Sequence, residues 1–184
     1  YFGPLLAKPP KTRETRNTKT FKIYGLAMLC QQTRAVAIYP VEGYDTETFL
    51  TAFKTHCAMH GVPKSIVSDP MKAFVKASRA VDEEVKDDLD EEDTAGVEKA
   101  LMKEFNIEWN LLPPGSQWRD PAERGIKSIK TMMKSVFNTD KDMPVLTVGE
   151  YWCLFSEISE MLNRRPISGQ LYNDEVTFIC PNDL

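Results

Sequence analysis

Two carboxylates and a row of ammonium groups are the side chains here whose types and spacing can do chemistry. Asp69 closes a short β-branched run, Lys64 to Asp69, and the chain turns at once at Pro70. Glu123 falls in the first turn of a helix predicted over Pro121 to Phe137. There Glu123, Lys127, Lys130 and Lys134 recur at i, i+4, i+7 and i+11, with Arg124 beside them, and Ile126, Ile129, Met133 and Phe137 take the opposite face. Glu123 has a purely structural use, because an acid at a helix start complements the dipole and reaches Lys127 four residues on, worth a few tenths of a kcal/mol. Asp69 supplies a second use. The carboxyl ends of strands in an α/β sheet are where ligand groups collect, and carboxylates from two elements can share hard, oxygen-seeking divalent cations. Two such ions about 4 Å apart activate a water or hydroxyl and stabilise the leaving oxygen of an in-line attack on phosphorus. The lysine row then holds the phosphate backbone of a nucleic acid leading into that site.

The rest of the chain supplies elements to position these groups. After a short apolar start and a proline-rich, basic stretch to Thr20, two dense apolar runs, Phe21 to Cys30 and Ala35 to Val41, are separated by Gln31-Gln32-Thr33-Arg34. They read as adjacent antiparallel strands buried on both faces. Asp45 is a candidate N-cap for a helix carrying Phe49, Phe53, Cys57 and His60 at helical spacing, ended by Gly61 and Pro63. Val97, Ala100, Leu101 and Phe105 mark a second helix, and a strand follows near Ile107 to Pro113. The helix of Glu123 comes third, with Pro121 well placed at its first position. A final helix spans roughly Val148 to Asn163, beyond which no helical pattern remains. With no internal repeat and no clean boundary, the expectation is one α/β domain over 1–166, an acidic insertion at about 78–96, and a C-terminal tail over 167–184.

Composition narrows the function class. The chain has 184 residues, 42% hydrophobic and 27% charged, which suits an ordinary globular domain. No run approaches the roughly 18 apolar residues of a membrane span, and the N-terminus lacks the order of a signal peptide. Cys30, Cys57, Cys153 and Cys180 form no CxxC pair, pointing to free thiols and an intracellular setting. Between Asp82 and Asp93, nine carboxylates face the single Lys86; taking this −8 from the whole-chain −4 leaves +4 for the remainder, compatible with nucleic-acid binding. That acidic run reads as a solvated loop. His56, Cys57 and His60 place two histidines on one helical face, as zinc ligands can be, but without a distant partner they read as packing. Arg164 and Arg165 end the last helix, where cations suit the dipole. Tyr151, Trp152 and Phe155 are open to two readings, core or subunit contact.

VPKSIVSD, PPGSQWRDPAERGIKSIK, LNRRPI and CPNDL together resemble the successive landmarks of the catalytic cores of retrotransposon and retroviral integrases, most closely long-terminal-repeat retrotransposons, of the Pao/BEL kind. The resemblance spans nearly the whole chain, and AERGIKSIK is its most specific piece. It implies a ribonuclease H-like fold, a mixed five-stranded sheet flanked by helices. It implies a polynucleotidyl transferase that processes element DNA ends and joins them to target DNA with two Mg²⁺ or Mn²⁺ ions. Asp69 and Glu123 match the second and third catalytic, metal-binding acids; Lys127 and Lys130 match DNA-contacting positions, with Lys134 and Arg124 alongside. The first acid belongs to an Asp-x-x-Gly-Pro setting, and the chain opens Tyr1-Phe2-Gly3-Pro4, so that aspartate is expected just ahead of Tyr1. The intact parent is then the enzyme, and this chain alone is expected to be incompetent. Where Asn-Gly is usual after the second acid and before the third, this sequence has Pro70-Met71 and Asp120-Pro121, and Asp69 and Glu123 lie 54 positions apart. The partners implied are DNA and further copies of the chain, at least a dimer, with no membrane and no small-molecule substrate, and the functional complex is nuclear. The alternative is a domesticated, inactive core kept as a nucleic-acid-binding or dimerisation module.

Overall fold

The computed structural model describes residues 1–10, 19–68, 107–112, 121–137, 143–172 and 175–184. Asp69, Pro70, the acidic insertion, the helix expected around Val97 to Phe105 and the loop 113–120 with Trp118 lie outside them. Among the described residues the order is β1 (Phe2–Lys8), β2 (Phe21–Leu29), β3 (Val36–Val41), α1 (Thr46–His60), β4 (Ser65–Ser68), β5 (Glu108–Leu111), α2 (Pro121–Phe137), β6 (Leu146–Thr147), α3 (Val148–Asn163), β7 (Ser168–Tyr172), β8 (Glu175–Ile179) and a 3-10 turn, Pro181–Asp183. The chain divides into two compact units, Tyr1–Glu42 with Pro121–Leu184, and Gly43–Asp120.

In the first unit β2 pairs antiparallel with both β1 and β3, and the two-residue β6 runs parallel to β1, giving the order β3-β2-β1-β6. The antiparallel pairing expected of the two apolar runs is present, from Tyr24↔Val41 to Leu29↔Val36. β1 is irregular between Phe2 and Leu5, where Gly3 has φ +130° and a cis peptide bond joins it to Pro4. Phe2 pairs with Gly25, and a Cβ at Gly25 would overlap the Phe2 ring, so the absent side chain lets the aromatic lie on β2. That ring meets Phe155 edge-on, centroids 5.6 Å apart.

The core of this unit joins Phe2, Ile23, Val36 and Ile38 of the sheet to Ile129 and Met133 of α2 and to Tyr151, Phe155, Ile158 and Leu162 of α3. Burying each such side chain contributes about 1.5–3 kcal/mol. α3 starts with a capping box, in which Glu150 N–H donates to the Thr147 hydroxyl at 3.2 Å and Thr147 N–H to the Glu150 carboxylate at 2.7 Å. Its far end is fixed by Asn163, whose amide oxygen accepts from Val36 N–H at 2.7 Å while its NH₂ donates to the Val36 carbonyl at 2.9 Å. Between them the buried Tyr151 hydroxyl donates to the Leu6 carbonyl at 3.0 Å. One helix thus holds β1 and β3 at once.

The segment after residue 166 is an antiparallel hairpin, Ser168↔Ile179 to Tyr172↔Glu175. Its Leu171, Val176 and Phe178 are exposed, so it carries no buried-face signature by which a sequence betrays a strand. In the second unit, Asp45 caps α1 as expected, accepting from Thr48 N–H at 2.9 Å. Phe49 and Phe53 stack at 5.8 Å and are buried, with Leu50, Ala52 and Cys57. β4 and β5 pair in parallel from Ser65↔Glu108 to Ser68↔Leu111, and Leu112 N–H donates to the Ser68 carbonyl at 2.8 Å. The five strands expected from the sequence are present as β1 to β5; the described ladders join three of them to β6 and pair the other two with each other.

Candidate active site and basic helix face

α2 sorts its residues as the periodicity predicts. Ile129 and Met133 are buried and Ile126 and Phe137 partly so, while Glu123, Arg124, Lys127, Lys130 and Lys134 are exposed. The sequence reading overlooked Gly125. A Cβ at this position would overlap the Leu29 side chain, so the glycine lets the first turn of α2 close onto the end of β2. A glycine inside a strong helical pattern was the available signal, since it costs about 1 kcal/mol relative to alanine unless something needs the space. This approach places Glu123. Because β1 and β2 are antiparallel with Phe2 beside Gly25, the start of β1 lies toward the Leu29 end of β2. The turn bearing Glu123 therefore sits at the end of the sheet where β1 begins.

The carboxylate of Glu123 makes no ion pair or side-chain hydrogen bond among the described residues, and the Lys127 bridge that would have explained it structurally is not formed. Lys127 and Lys130 likewise have no carboxylate partner among them. Two hydroxyls on this helix turn back to its own backbone, Ser128 donating to the Arg124 carbonyl at 3.1 Å and Thr131 to the Lys127 carbonyl at 3.0 Å. The exposed face is thus left to one free acid followed by cations, an arrangement able to take phosphates along its length. β4 runs to Ser68, and Asp69, next in the chain, lies outside the described residues. An open carboxylate is a hard oxygen donor and suits Mg²⁺ or Mn²⁺.

The nitrogen and sulfur donors of α1 behave differently. His56 and His60 lie 4.8 Å apart between ring centres, and burial, with the charge of His60, pushes His56 down to about 4. Burial raises the Cys57 thiol. Among the described residues no three His, Cys, Asp or Glu side chains gather to hold a metal. The open pair of readings for α3 also divides: Tyr151 and Phe155 are fully buried, while Trp152 stays partly exposed, its ring edge-on to Tyr39 at 5.7 Å. All four cysteines are free thiols, as expected.

No protein-family model matches the sequence, and no curated protein matches it. Solved structures do. The catalytic core domain of HTLV-2 integrase in complex with magnesium, in its dimeric form, superposes with a TM-score of 0.54 at 12% identity over 94% of this chain and 89% of that one. Its trimeric form gives 0.52 at 14% identity, covering 92% and 84%. The fold is that of an integrase catalytic core. The expected ribonuclease H-like class is borne out, a mixed α/β arrangement whose sheet and helices follow the integrase-core plan. At these identities the likeness is one of fold. Among the described residues no helix is long and apolar enough to cross a membrane.

Proposed function

We propose that the chain is the core of a retrotransposon integrase of the Pao/BEL kind, a polynucleotidyl transferase that trims element DNA ends and joins them to target DNA. The observation that carries this reading is the exposed, unpaired Glu123 at the head of a cationic helix face, at the sheet end where β1 begins, in an integrase-core fold. Glu123 and Asp69 offer carboxylate oxygens to divalent ions. When bound, Mg²⁺ or Mn²⁺ supplies an activated water or hydroxyl and charge neutralisation at the leaving oxygen. Lys127, Lys130, Lys134 and Arg124 hold the DNA backbone and fix its register. The HTLV-2 cores were solved with magnesium and in dimeric and trimeric forms, in keeping with a metal-dependent core that works as at least a dimer. The test is calorimetric Mn²⁺ titration of a chain carrying the residues ahead of Tyr1, compared with its Asp69→Asn form, with a DNA-joining assay alongside. Metal binding that depends on Asp69, together with joining, is the expected result; a folded protein showing neither overturns it.

Pro121 favours a second reading. It fixes φ at the first position of α2, where the family commonly has a flexible glycine just ahead of the acid. A domesticated core used for DNA binding or dimerisation predicts DNA affinity without metal binding or joining.

A further inference from the structure

A second cationic group stands at the Leu29 end of the sheet. Cys30 N–H donates to the Ala35 carbonyl at 2.9 Å directly after the Leu29↔Val36 pair, so the turn between β2 and β3 projects from the end that the first turn of α2 covers. Arg165, just past α3, donates from its guanidinium to the Arg34 carbonyl in that turn at 3.3 Å. Arg165 is thereby anchored to the turn that carries Arg34. Neither has a carboxylate partner among the described residues, whereas the adjacent Arg164 is neutralised by Glu160 at 2.6 Å. Guanidinium groups match phosphate oxygens in geometry. Together with Arg124 in the first turn of α2, from which the lysine row runs on along the helix, Arg34 and Arg165 put three arginines toward one sheet end.

We infer that Arg34 and Arg165 form a clamp for the phosphodiester backbone of DNA, extending the track of α2 onto the β2–β3 turn. This rests on the DNA-joining reading above. The test is fluorescence anisotropy of a labelled DNA duplex against the chain across a salt series. Each lost phosphate contact lowers the steepness of log affinity against log salt by about 0.9. Arg34→Gln, whose described side-chain interaction is its charge acting on the Cys30 thiol, is expected to lower it by about 0.9, and Arg34→Ala with Arg165→Ala by about 1.8. Arg164→Ala is expected to leave it unchanged. Wild-type slopes for both arginine variants, with binding weakened by Lys127→Ala and Lys130→Ala, overturn the clamp alone. Wild-type binding by the lysine variants overturns the reading beneath it. Saturable binding of inorganic phosphate lost in Arg34→Gln, with an unchanged DNA slope, overturns the clamp in favour of a small-anion site.

Discussion

α2 and α3 are neighbouring helices in one unit and share one core, and the acids in their first turns, Glu123 and Glu150, are used in opposite ways. On α3, Glu150 closes the capping box and Glu160 holds both Arg164 and Asn182, at 2.6 and 2.9 Å. These bonds keep both acids below the usual carboxylate range, Glu150 chiefly through Thr147 N–H and Glu160 chiefly through the Asn182 amide. On α2, Glu123 has a lysine four residues on and does not use it. Glu150 and Glu160 are tied to specific donors; Glu123 is left open, as is Glu157 on α3, and of these two Glu123 heads the row of cations at the sheet end where β1 begins. The same division separates Arg164 from Arg165 one residue later.

The largest effect expected from this contrast is on activity. In the longer form used for the Mn²⁺ titration, Glu123→Gln should leave the melting temperature unchanged and cut Mn²⁺ affinity and joining by a hundredfold or more, about the upper end of losses for residues that only support ligands; a melting shift with activity retained would place Glu123 with the structural acids. Phe155→Ala, at the centre of the core beneath both helices, should cost about 3–5 kcal/mol in denaturant unfolding. Thr147→Ala removes one half of the capping box and should cost about 1 kcal/mol, with DNA affinity intact. The smallest effect is in pH. The depressed acids of α3 contribute stability that is present above the unfolded carboxylate range near 4.5 and is lost as pH falls through their lower folded values. Amide-exchange protection at the start of α3 and around Asn182 should therefore decline in acid, and Glu160→Gln should remove that decline near Asn182.

Much of this was readable in the sequence because it depends on periodicity and local donors. The α2 faces, the Asp45 cap, the β2–β3 pairing and the extent of α3 follow from apolar spacing and from residues that bond three or four positions away. The β7–β8 hairpin was not readable, since its apolar residues face solvent. Gly125 could be noticed but not explained, because its reason is the Leu29 side chain almost a hundred positions earlier. Within the site, the type and spacing of Glu123, Lys127 and Lys130 were visible. Whether Glu123 would pair with Lys127 was not, since both states satisfy the same spacing.

The sequence by itself determined which residues share a face and which could hold a cation or a phosphate, because side-chain direction along a helix or strand is fixed by backbone geometry. Only the tertiary structure decided which of those groups are left free. Asn163 reaching Val36, Tyr151 reaching Leu6, Glu160 claiming Arg164, and Arg165 turning to the Arg34 carbonyl are mostly long-range bonds. Apart from the local Glu160–Arg164 pair, each depends on chain segments brought together by burial of a common core, and burial is set by the whole fold and by no local spacing.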